Sequence, residues 1–392
     1  MNKKMYIIGV PIIIITLLLI GFNMLGQGNK IVTYQDLKGI AFSSTEEIEL
    51  VEDAAAYQLL EDKRIEVATL LKSTAYPLLG EDEEYYQINF GNDRIYILKK
   101  DAVKQPANAE FETFKSEYTV LSESSLEVLD TAERGAKVVA RINPDMRVVV
   151  LEEIKSRYRI QIGGMDRYIY KKDTVEDSGV PALMYHHMIE NAAQSSQSTN
   201  RMVIDVKNFE EQMDFLVKNH WTPISMQTFQ QWKEKEIDLP KKVVLLTFDD
   251  GILSTVKYAY PILKAHNMPA ASFLIMGKIR QEAAPWDPET LQNVGLKEIK
   301  ATTDVYDYQH HTHYFHVFKK GTSEGLMITD SYEAIMQDLD DGKHQLAKAF
   351  DGDTERVTSL AYLSVNIMKQ HFVRWRILVY YTPLRRSQER FY

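Results

Sequence analysis

The sequence predicts an α/β fold for the C-terminal half of the chain, in which a parallel sheet is covered by helices. Residues 243–248 form an uninterrupted apolar run of strand length, as expected for a strand that is covered on both faces. A helix is predicted at residues 207–219, where apolar side chains recur at helical spacing: Phe209, Met213 and Leu216. Alternating strands and helices favour a parallel sheet, whose ligands gather at the carboxyl ends of the strands.

Length and composition exclude several classes of function and of metal site. The chain has 392 residues, enough for two or three domains at about 150 residues each. A formal net charge of -9 argues against a nucleic-acid partner, because binding to phosphates needs clustered Lys and Arg. The absence of cysteine excludes disulfides, thiolate metal sites and a cysteine nucleophile. Any metal must therefore be bound by histidines and carboxylates.

The N-terminus predicts a membrane anchor at residues 1–29. Residues 5–25 contain no charged side chain and are long enough to cross a hydrocarbon core of about 30 Å. Lys3 and Lys4 precede this segment and should keep the short N-terminus inside the cell. We therefore expect a single-pass protein of the cell membrane with the remainder of the chain extracellular. A cleaved signal peptide is the alternative.

An internal repeat follows the anchor. Residues 86–103 and 158–175 match at a constant offset of 72 (158 − 86), and both copies alternate apolar and polar residues around a glycine turn. This pattern predicts two β-hairpins. The hairpins resemble bacterial SH3-like modules, which implies two β-units at 30–108 and 109–177 and a role in contact with the cell wall. The other interpretation is that they are spacers between the membrane and the C-terminal domain.

The predicted elements of the C-terminal domain begin near Gly179. In chain order they are a strand at 180–185, an exposed loop at 191–200, the helix at 207–219, a helix capped by Ser225, the strand at 243–248, helical residues through Lys264 and a strand at 271–276.

The first candidate site residues are Asp249 and Asp250, which follow the buried strand 243–248 directly. Two adjacent carboxylates there are costly to desolvate unless they hold a proton, a metal or another cation. Neighbouring side chains on extended backbone point to opposite sides. One carboxylate on a metal and the other on a nearby water is the geometry that fits. The alternative is a solvated Asp-Asp-Gly turn.

A histidine cluster follows a later predicted strand. Four of the ten histidines of the chain lie within seven residues: His310, His311, His313 and His316. In a chain without cysteine they are candidate imidazole ligands, and one Asp with two His would make a facial ligand set with open positions. The alternative is a histidine-rich surface loop.

Together these motifs resemble the polysaccharide deacetylases of the NodB-homology group, and most closely the branch that de-N-acetylates poly-β-1,6-N-acetylglucosamine. The matching segments are VPALMYHH at 180–187, LTFDDG at 246–251, PIL at 261–263 with AASF at 270–273, and HTHYFH at 311–316. The resemblance implies a distorted, incomplete (β/α) barrel over 178–362. It also implies that the substrate is an N-acetylated polysaccharide. The N-acetyl groups of this polysaccharide are hydrolysed, which leaves free amines and releases acetate.

The resemblance further implies the roles of individual residues. Asp249 corresponds to the general base and His186 to the general acid, with His187 as the alternative acid. A divalent metal, zinc or alternatively cobalt or nickel, corresponds to a set of three ligands: Asp250, His311 and His316. His310 and His313 match no required position. A different function class stays open, in which the chain is a non-catalytic cell-wall or glycan-binding surface protein with a degenerate deacetylase scaffold.

The composition changes abruptly after Tyr362. Residues 363–392 carry six basic residues and one acidic residue, a net charge of +5, against -14 for residues 1–362 (40 − 54). We expect a one-base deletion near codon 363 to have replaced the last barrel elements with an out-of-frame tail. The alternative is a genuine C-terminus that diverges from the family. A barrel without its final strands has an open edge, so the product is expected to be unstable and weakly active or inactive.

Overall fold

The computed structural model describes residues 37–362, apart from 193, 194, 196–199, 201, 282–284, 289 and 323, together with 377–380. The N-terminal region contains sixteen described strands. They are β1 Gly39–Leu50, β2 Ala54–Leu60, β3 Lys63–Leu70, β4 Ala75–Pro77, β5 Gly80–Glu81, β6 Tyr85–Phe90, β7 Asp93–Leu98, β8 Ala102–Phe114, β9 Thr119–Ser122, β10 Leu126–Leu129, β11 Val138–Ile142, β12 Arg147–Val149, β13 Glu152–Ile154, β14 Arg157–Ile162, β15 Met165–Tyr170 and β16 Thr174–Glu176.

The predicted repeat is confirmed as a pair of hairpins. β6 pairs with β7, and β14 pairs with β15 in the same antiparallel register. Each hairpin is followed by a short 3₁₀ turn, Lys99–Asp101 in the first copy and Lys171–Asp173 in the second. Alternating apolar residues of both hairpins, such as Ile88 and Ile160, are buried.

The two repeats form one closed ring of strands. The first hairpin, β6–β7, is joined in the ring by β2 and β3, and the second hairpin, β14–β15, is joined by β10 and β11. The ring closes because β3 pairs with β11 and β14 pairs with β6, which removes the exposed edges that each repeat alone would leave. One hydrophobic cluster fills both halves. The structure therefore gives no support to two separate SH3-like units, and the boundary expected at 108/109 falls inside β8.

The C-terminal region is built from strands and helices in alternation. Its strands are β17 Ala182–Tyr185, β18 His187–Ile189, β19 Val203–Asp205, β20 Thr222–Ile224, β21 Val243–Phe248, β22 Ala270–Leu274, β23 Tyr306–His310, β24 Ser359–Tyr362 and β25 Ile377–Tyr380. Its helices are α1 Val206–Lys218, α2 Met226–Lys233, α3 Tyr260–Ala265, α4 Leu296–Ala301, α5 Leu326–Thr329 and α6 Tyr332–Ala347.

The predicted parallel sheet is confirmed. Its strand order is β17-β21-β22-β23-β24-β25, with β20 beside the start of β21, and every pairing is parallel. All six residues of β21 are buried, as its apolar composition predicts. The predicted first helix buries Phe209, Met213 and Leu216, and the Ser225 side chain caps α2 by accepting a hydrogen bond from the backbone N–H of Thr228.

Two expectations concern the ends of the chain. Among the described residues no helix has the length and apolarity needed to cross a bilayer, and the anchor expected at 1–29 lies outside those residues. Of the expected out-of-frame tail, only residues 377–380 are described. They form β25, which pairs in parallel with β24.

Candidate metal centre and active site

The candidate site residues lie where neighbouring parallel strands end. The backbone N–H of Asp249, just after β21, donates to the carbonyl of Tyr185 at the end of β17 (2.9 Å). The backbone N–H of His311, just after β23, donates to the carbonyl of Leu274 at the end of β22 (2.9 Å). The two motifs that the sequence separates by about sixty residues therefore meet at one edge of the sheet, as expected for the carboxyl ends of parallel strands.

Three of the predicted residues form a compact donor cluster. The ligand atoms of Asp250, His311 and His316 all lie within 4.8 Å of one another. Asp250 Oδ1 is 3.3 Å from His316 Nε2 and 3.7 Å from His311 Nε2. The expected set of one carboxylate and two imidazoles is thus brought together by the fold.

A tight turn presents the Asp250 carboxylate. Asp250 and Gly251 both have left-handed backbone, each with φ of 67°. The side-chain amide of Asn293 donates to the Asp250 carbonyl (3.0 Å), and the backbone N–H of Val294 donates to the Gly251 carbonyl (2.9 Å). A Cβ on Gly251 would lie 2.8 Å from a methyl group of Leu274, so the turn is both strained and crowded.

The surroundings of both imidazoles of the cluster favour the neutral form, which is the form that a metal binds, and a hydrogen bond orients one of them. His311 Nδ1 lies 2.8 Å from the carbonyl oxygen of Ala361, which can only accept, so Nδ1 carries the proton and the Nε2 lone pair faces Asp250. Burial lowers the pKa of His311, although the Asp250 charge opposes the shift. Burial and His311 lower the pKa of His316 to about 2. Both rings are therefore neutral near pH 7.

The residues present fit a divalent cation. Asp250 Oδ1 is buried and has no hydrogen-bond partner among the described residues, although two neutral imidazoles face it. A buried carboxylate oxygen is costly without a hydrogen bond or a cation. One carboxylate and two imidazoles form a donor set suited to zinc and to other late divalent metals.

Comparison with known sequences identifies this part of the chain. Residues 236–369 match the sequence profile of the polysaccharide deacetylase family. This part of the chain is similar to the polysaccharide deacetylase family, and we refer to the C-terminal region as the deacetylase domain after that match. The matched range includes Asp249 and the three clustered residues. His186 lies before the matched range. The matched range ends seven residues beyond Tyr362 (369 − 362).

Several curated and solved proteins are similar to the deacetylase domain. A poly-β-1,6-N-acetyl-D-glucosamine N-deacetylase of Staphylococcus aureus (strain MSSA476) is 28% identical over 190 residues, which is 46% of this chain and 63% of that protein. The chain therefore spans under two thirds of that relative. The protein of the same name from Staphylococcus epidermidis is 27% identical over 210 residues, 50% of this chain and 69% of that protein. Solved structures include IcaB from Ammonifex degensii, at 24% identity, 47% and 74% coverage and TM-score 0.41.

Two further predicted residues of the deacetylase domain flank the cluster. Asp249 is 2% exposed, and its Oδ2 lies 3.9 Å from His311 Nε2. His186 follows β17, where burial lowers its pKa and the charge of Asp250 acts in the opposite direction. His186 is thus electrostatically linked to the donor cluster.

The alternative acid of the deacetylase domain, His187, is placed differently. Its Nδ1 lies 2.9 Å from the Ser254 hydroxyl, which also accepts the backbone N–H of Met188 (3.0 Å). His187 is 5% exposed, and burial lowers its pKa. The histidine doublet is therefore divided: the charge of Asp250 acts on the pKa of His186, whereas His187 is bonded to Ser254.

The two remaining histidines of the deacetylase domain's cluster are buried outside the donor set. His310 Nδ1 accepts the backbone N–H of Thr312 (3.0 Å), and burial lowers the His310 pKa to about 3. The His313 ring stacks on Tyr314 with centroids 4.0 Å apart. Neither is one of the three clustered ligands.

Sequence reasoning missed a carboxylate that supports the deacetylase domain's histidine loop. Asp338 lies on α6 and accepts backbone N–H groups from His313 (2.9 Å) and Tyr314 (2.7 Å). Burial raises its pKa, while those two hydrogen bonds lower it. The sequence contains a pattern that could have indicated this residue. Asp338 lies on the apolar face of an amphipathic helix, beside Ile335 and Leu339, where a carboxylate is unusual.

Proposed function

We propose that this chain hydrolyses N-acetyl groups of an extracellular N-acetylglucosamine polysaccharide in a reaction that depends on a divalent metal. The observation that carries the proposal is the cluster of Asp250, His311 and His316, with the Asp249 carboxylate beside it, at the carboxyl edge of the sheet. The family match supports deacetylation, and the names of the curated relatives support poly-β-1,6-N-acetylglucosamine as the glycan.

The three clustered residues would hold the metal, for which zinc is the first choice and cobalt or nickel are alternatives. A divalent cation bound there supplies Lewis acidity toward a carbonyl group and lowers the pKa of bound water toward about 7. The hydrogen bond from His311 Nδ1 to the Ala361 carbonyl fixes the orientation of one ligand ring.

Two residues outside the ligand set would move protons. Asp249 would accept a proton from the attacking water, because its carboxylate lies beside the cluster and is not one of the three ligands. His186 would donate a proton to the departing nitrogen, because it is the member of the histidine doublet whose pKa is affected by the charge of Asp250. Each proton transfer is worth about 10² to 10⁴ in rate.

The extracellular location rests on the apolar segment at residues 5–25 and the lysines before it. A polymeric glycan outside the cell would reach a catalytic domain exported in this way. Contact with the cell wall through the N-terminal strands stays part of the same proposal.

Acetate release from oligosaccharides tests the function. The full chain, purified in detergent, is incubated with β-1,6-linked N-acetylglucosamine pentamer and with its β-1,4-linked counterpart. We expect acetate from the β-1,6 pentamer at a low rate, because the residues after Tyr362 replace the last barrel elements. We also expect loss of this activity with a chelator and recovery on addition of Zn²⁺, Co²⁺ or Ni²⁺.

Variants assign the roles. Asp249→Asn is expected to lower kcat by about 10² or more while metal content is retained. Asp351→Asn is the matched control, because Asp351 is a fully exposed carboxylate whose nearest cation, Lys300, is 3.8 Å away. Normal turnover by Asp249→Asn, or release of acetate that a chelator leaves unchanged, would disprove the proposed mechanism.

A further inference from the structure

The inward face of helix α6 departs from the apolar stripe expected of an amphipathic helix. Its buried residues are Ile335, Asp338, Leu339, Gly342, Leu346 and Ala347. Asp338 is 6% exposed, and a carboxylate buried to that extent is destabilising unless donors satisfy it. The position of this carboxylate therefore calls for a partner on the element packed against α6.

That partner is the backbone of the histidine loop. Asp338 Oδ2 accepts the N–H of His313 at 2.9 Å, and Oδ1 accepts the N–H of Tyr314 at 2.7 Å. These two amides lie between His311 and His316 in the chain. Each carboxylate oxygen thus holds one of the peptide groups that join the two candidate imidazole ligands.

Two more residues of α6 support the same region. Gly342 leaves room for the His310 ring, because a Cβ at this position would overlap the imidazole. Gln345 donates from Nε2 to the carbonyl of Met276 (3.1 Å), in the segment after β22. Residues 338, 342 and 345 follow helical spacing and therefore share one face of α6.

The segment after β22 holds the histidine loop from its other side. The backbone N–H of Met276 donates to the Thr312 carbonyl (3.1 Å), and that of Gly277 donates to the His313 carbonyl (3.0 Å). The peptide group that joins Thr312 to His313 is thus bonded to two elements, through its carbonyl to the segment after β22 and through its N–H to α6. Thr312 has left-handed backbone with φ of 69°, a conformation that persists only when its surroundings impose it.

We propose that Asp338 is a positioning residue of the metal centre, which sets the backbone between His311 and His316 so that both imidazoles face Asp250. The proposal rests on the proposed metal-dependent function. Asp338 is not one of the three candidate ligands, and it acts through the two loop amides. Ligands held in place before the metal arrives lose less conformational freedom on binding, so fixing this loop strengthens metal affinity.

The test is Co²⁺ binding by the full-length metal-free protein. In Asp338→Asn the side chain keeps one accepting oxygen and places an NH₂ group against the other loop N–H. We expect the Kd for Co²⁺ to rise by about tenfold to a hundredfold, with a changed visible absorption spectrum of the bound Co²⁺. Melting of the metal-free protein should change little in comparison.

Asp341→Asn is the matched control. Asp341 lies on the same helix, carries the same charge and is exposed, where it accepts a hydrogen bond from Gln337 (2.8 Å). It should bind Co²⁺ as the wild type does. A wild-type Kd and spectrum for Asp338→Asn would overturn the proposal, and an equal loss in Asp341→Asn would overturn it too, because the effect would then be one of charge alone.

Hydrogen exchange on the wild-type protein gives a second measurement that needs no variant. The amides of His313 and Tyr314 should be protected in the metal-free state, because Asp338 already accepts them. Rapid exchange of both would overturn the proposal. The proposed function is tested separately from the positioning role. If Asp338→Asn binds Co²⁺ more weakly and the wild type releases no acetate, the positioning role is supported and the proposed activity is contradicted.

Discussion

The neighbouring histidines 186 and 187 differ in environment because successive side chains on extended backbone point to opposite sides. The charge of the Asp250 carboxylate acts on the pKa of His186, whereas His187 is bonded to the Ser254 hydroxyl. Their order in the sequence cannot distinguish them, since both follow the same apolar strand. The assignment of the general acid to His186 depends on this division.

Substitution of each histidine separates the roles. We expect His186→Gln to lower kcat by about 10² to 10⁴, because proton donation to the leaving nitrogen is lost. His187→Gln should lower kcat less than tenfold and instead lower the melting temperature, since a buried hydrogen bond to Ser254 is disturbed. Acetate release and thermal melting provide the two readouts. A larger loss of kcat in His187→Gln than in His186→Gln would reverse the assignment.

At the scale of elements, the loop between α2 and β21 packs against the turn of hairpin β6–β7. Asp238 in this loop is buried, and its Oδ2 accepts the backbone N–H of Asn92 (2.9 Å). Gly91, with φ of 54°, lies against the same oxygen, so a side chain there would collide with it. Burial and the nearby Asp93 raise the pKa of Asp238 to about 7, and burial raises the pKa of Asp93 to about 6.

This carboxylate pair predicts a pH-dependent stability. Both groups keep a proton in the folded protein at pH values where the unfolded chain has lost it, so their contribution is fully present below about pH 4 and is lost as pH rises through 6 to 7. Cationic groups nearby, namely Arg94, Lys115 and Arg147, oppose the shifts and do not reverse them.

Asp238→Asn should remove most of this dependence. The variant keeps an oxygen that can accept the Asn92 N–H and carries no charge at any pH. We expect its melting temperature at pH 8 to exceed that of the wild type by about 2 °C or more, with a smaller difference at pH 5. Melting curves from pH 4 to 8 provide the measurement, with Asp351→Asn as the exposed control. Parallel curves for Asp238→Asn and the wild type would contradict the prediction.

At the scale of the whole molecule, the strand ring and the deacetylase domain share a buried boundary. Leu60 of the ring clusters with Leu239 and Val243 of the deacetylase domain. Glu61 Oε1 accepts the N–H of Ser225 and the hydroxyl of Thr228, both at 2.7 Å, and so caps α2 from outside its own region.

Arg147 is the charged centre of this boundary. Its guanidinium pairs with Asp177 and donates to the carbonyls of Leu239 (3.0 Å), Pro240 (2.9 Å) and Gly179 (3.2 Å). The Arg147 side chain is 1% exposed and that of Asp177 is 3% exposed. The guanidinium therefore joins β12, a strand beside the ring, to the connecting segment and to the loop before β21.

Arg147→Met should destabilise the whole chain. Removal of one partner leaves the Asp177 carboxylate buried without its cation, which costs about 3 to 5 kcal/mol. Lys235→Met is the control, because Lys235 and Glu117 form a more exposed pair worth about 1 kcal/mol or less. Denaturant unfolding measures both. A loss for Arg147→Met no larger than that of the control would show that the boundary carries little of the stability.

The sequence by itself determined the local structure and the chemistry of the site. The periods of apolar residues predict β21, α1 and both hairpins, because side chains alternate along a strand and recur every 3.6 residues along a helix. Asp249, Asp250 and the histidine loop could be selected because adjacent carboxylates and clustered imidazoles have few uses at strand ends. All of these inferences depend on residues that are close together in the chain.

Only the tertiary structure decided which distant groups complete these features. The ring closes through pairings between the two repeats, Ala361 orients His311 from 50 residues away, and Asp338 holds His313 from 25 residues away. Contacts between distant residues also distinguish His187, which is bonded to Ser254, from His186. Such a contact likewise buries Asp238 against Asn92. Such contacts arise from the packing of whole elements, and sequence periodicity specifies which face of an element is buried but not which residue it meets there.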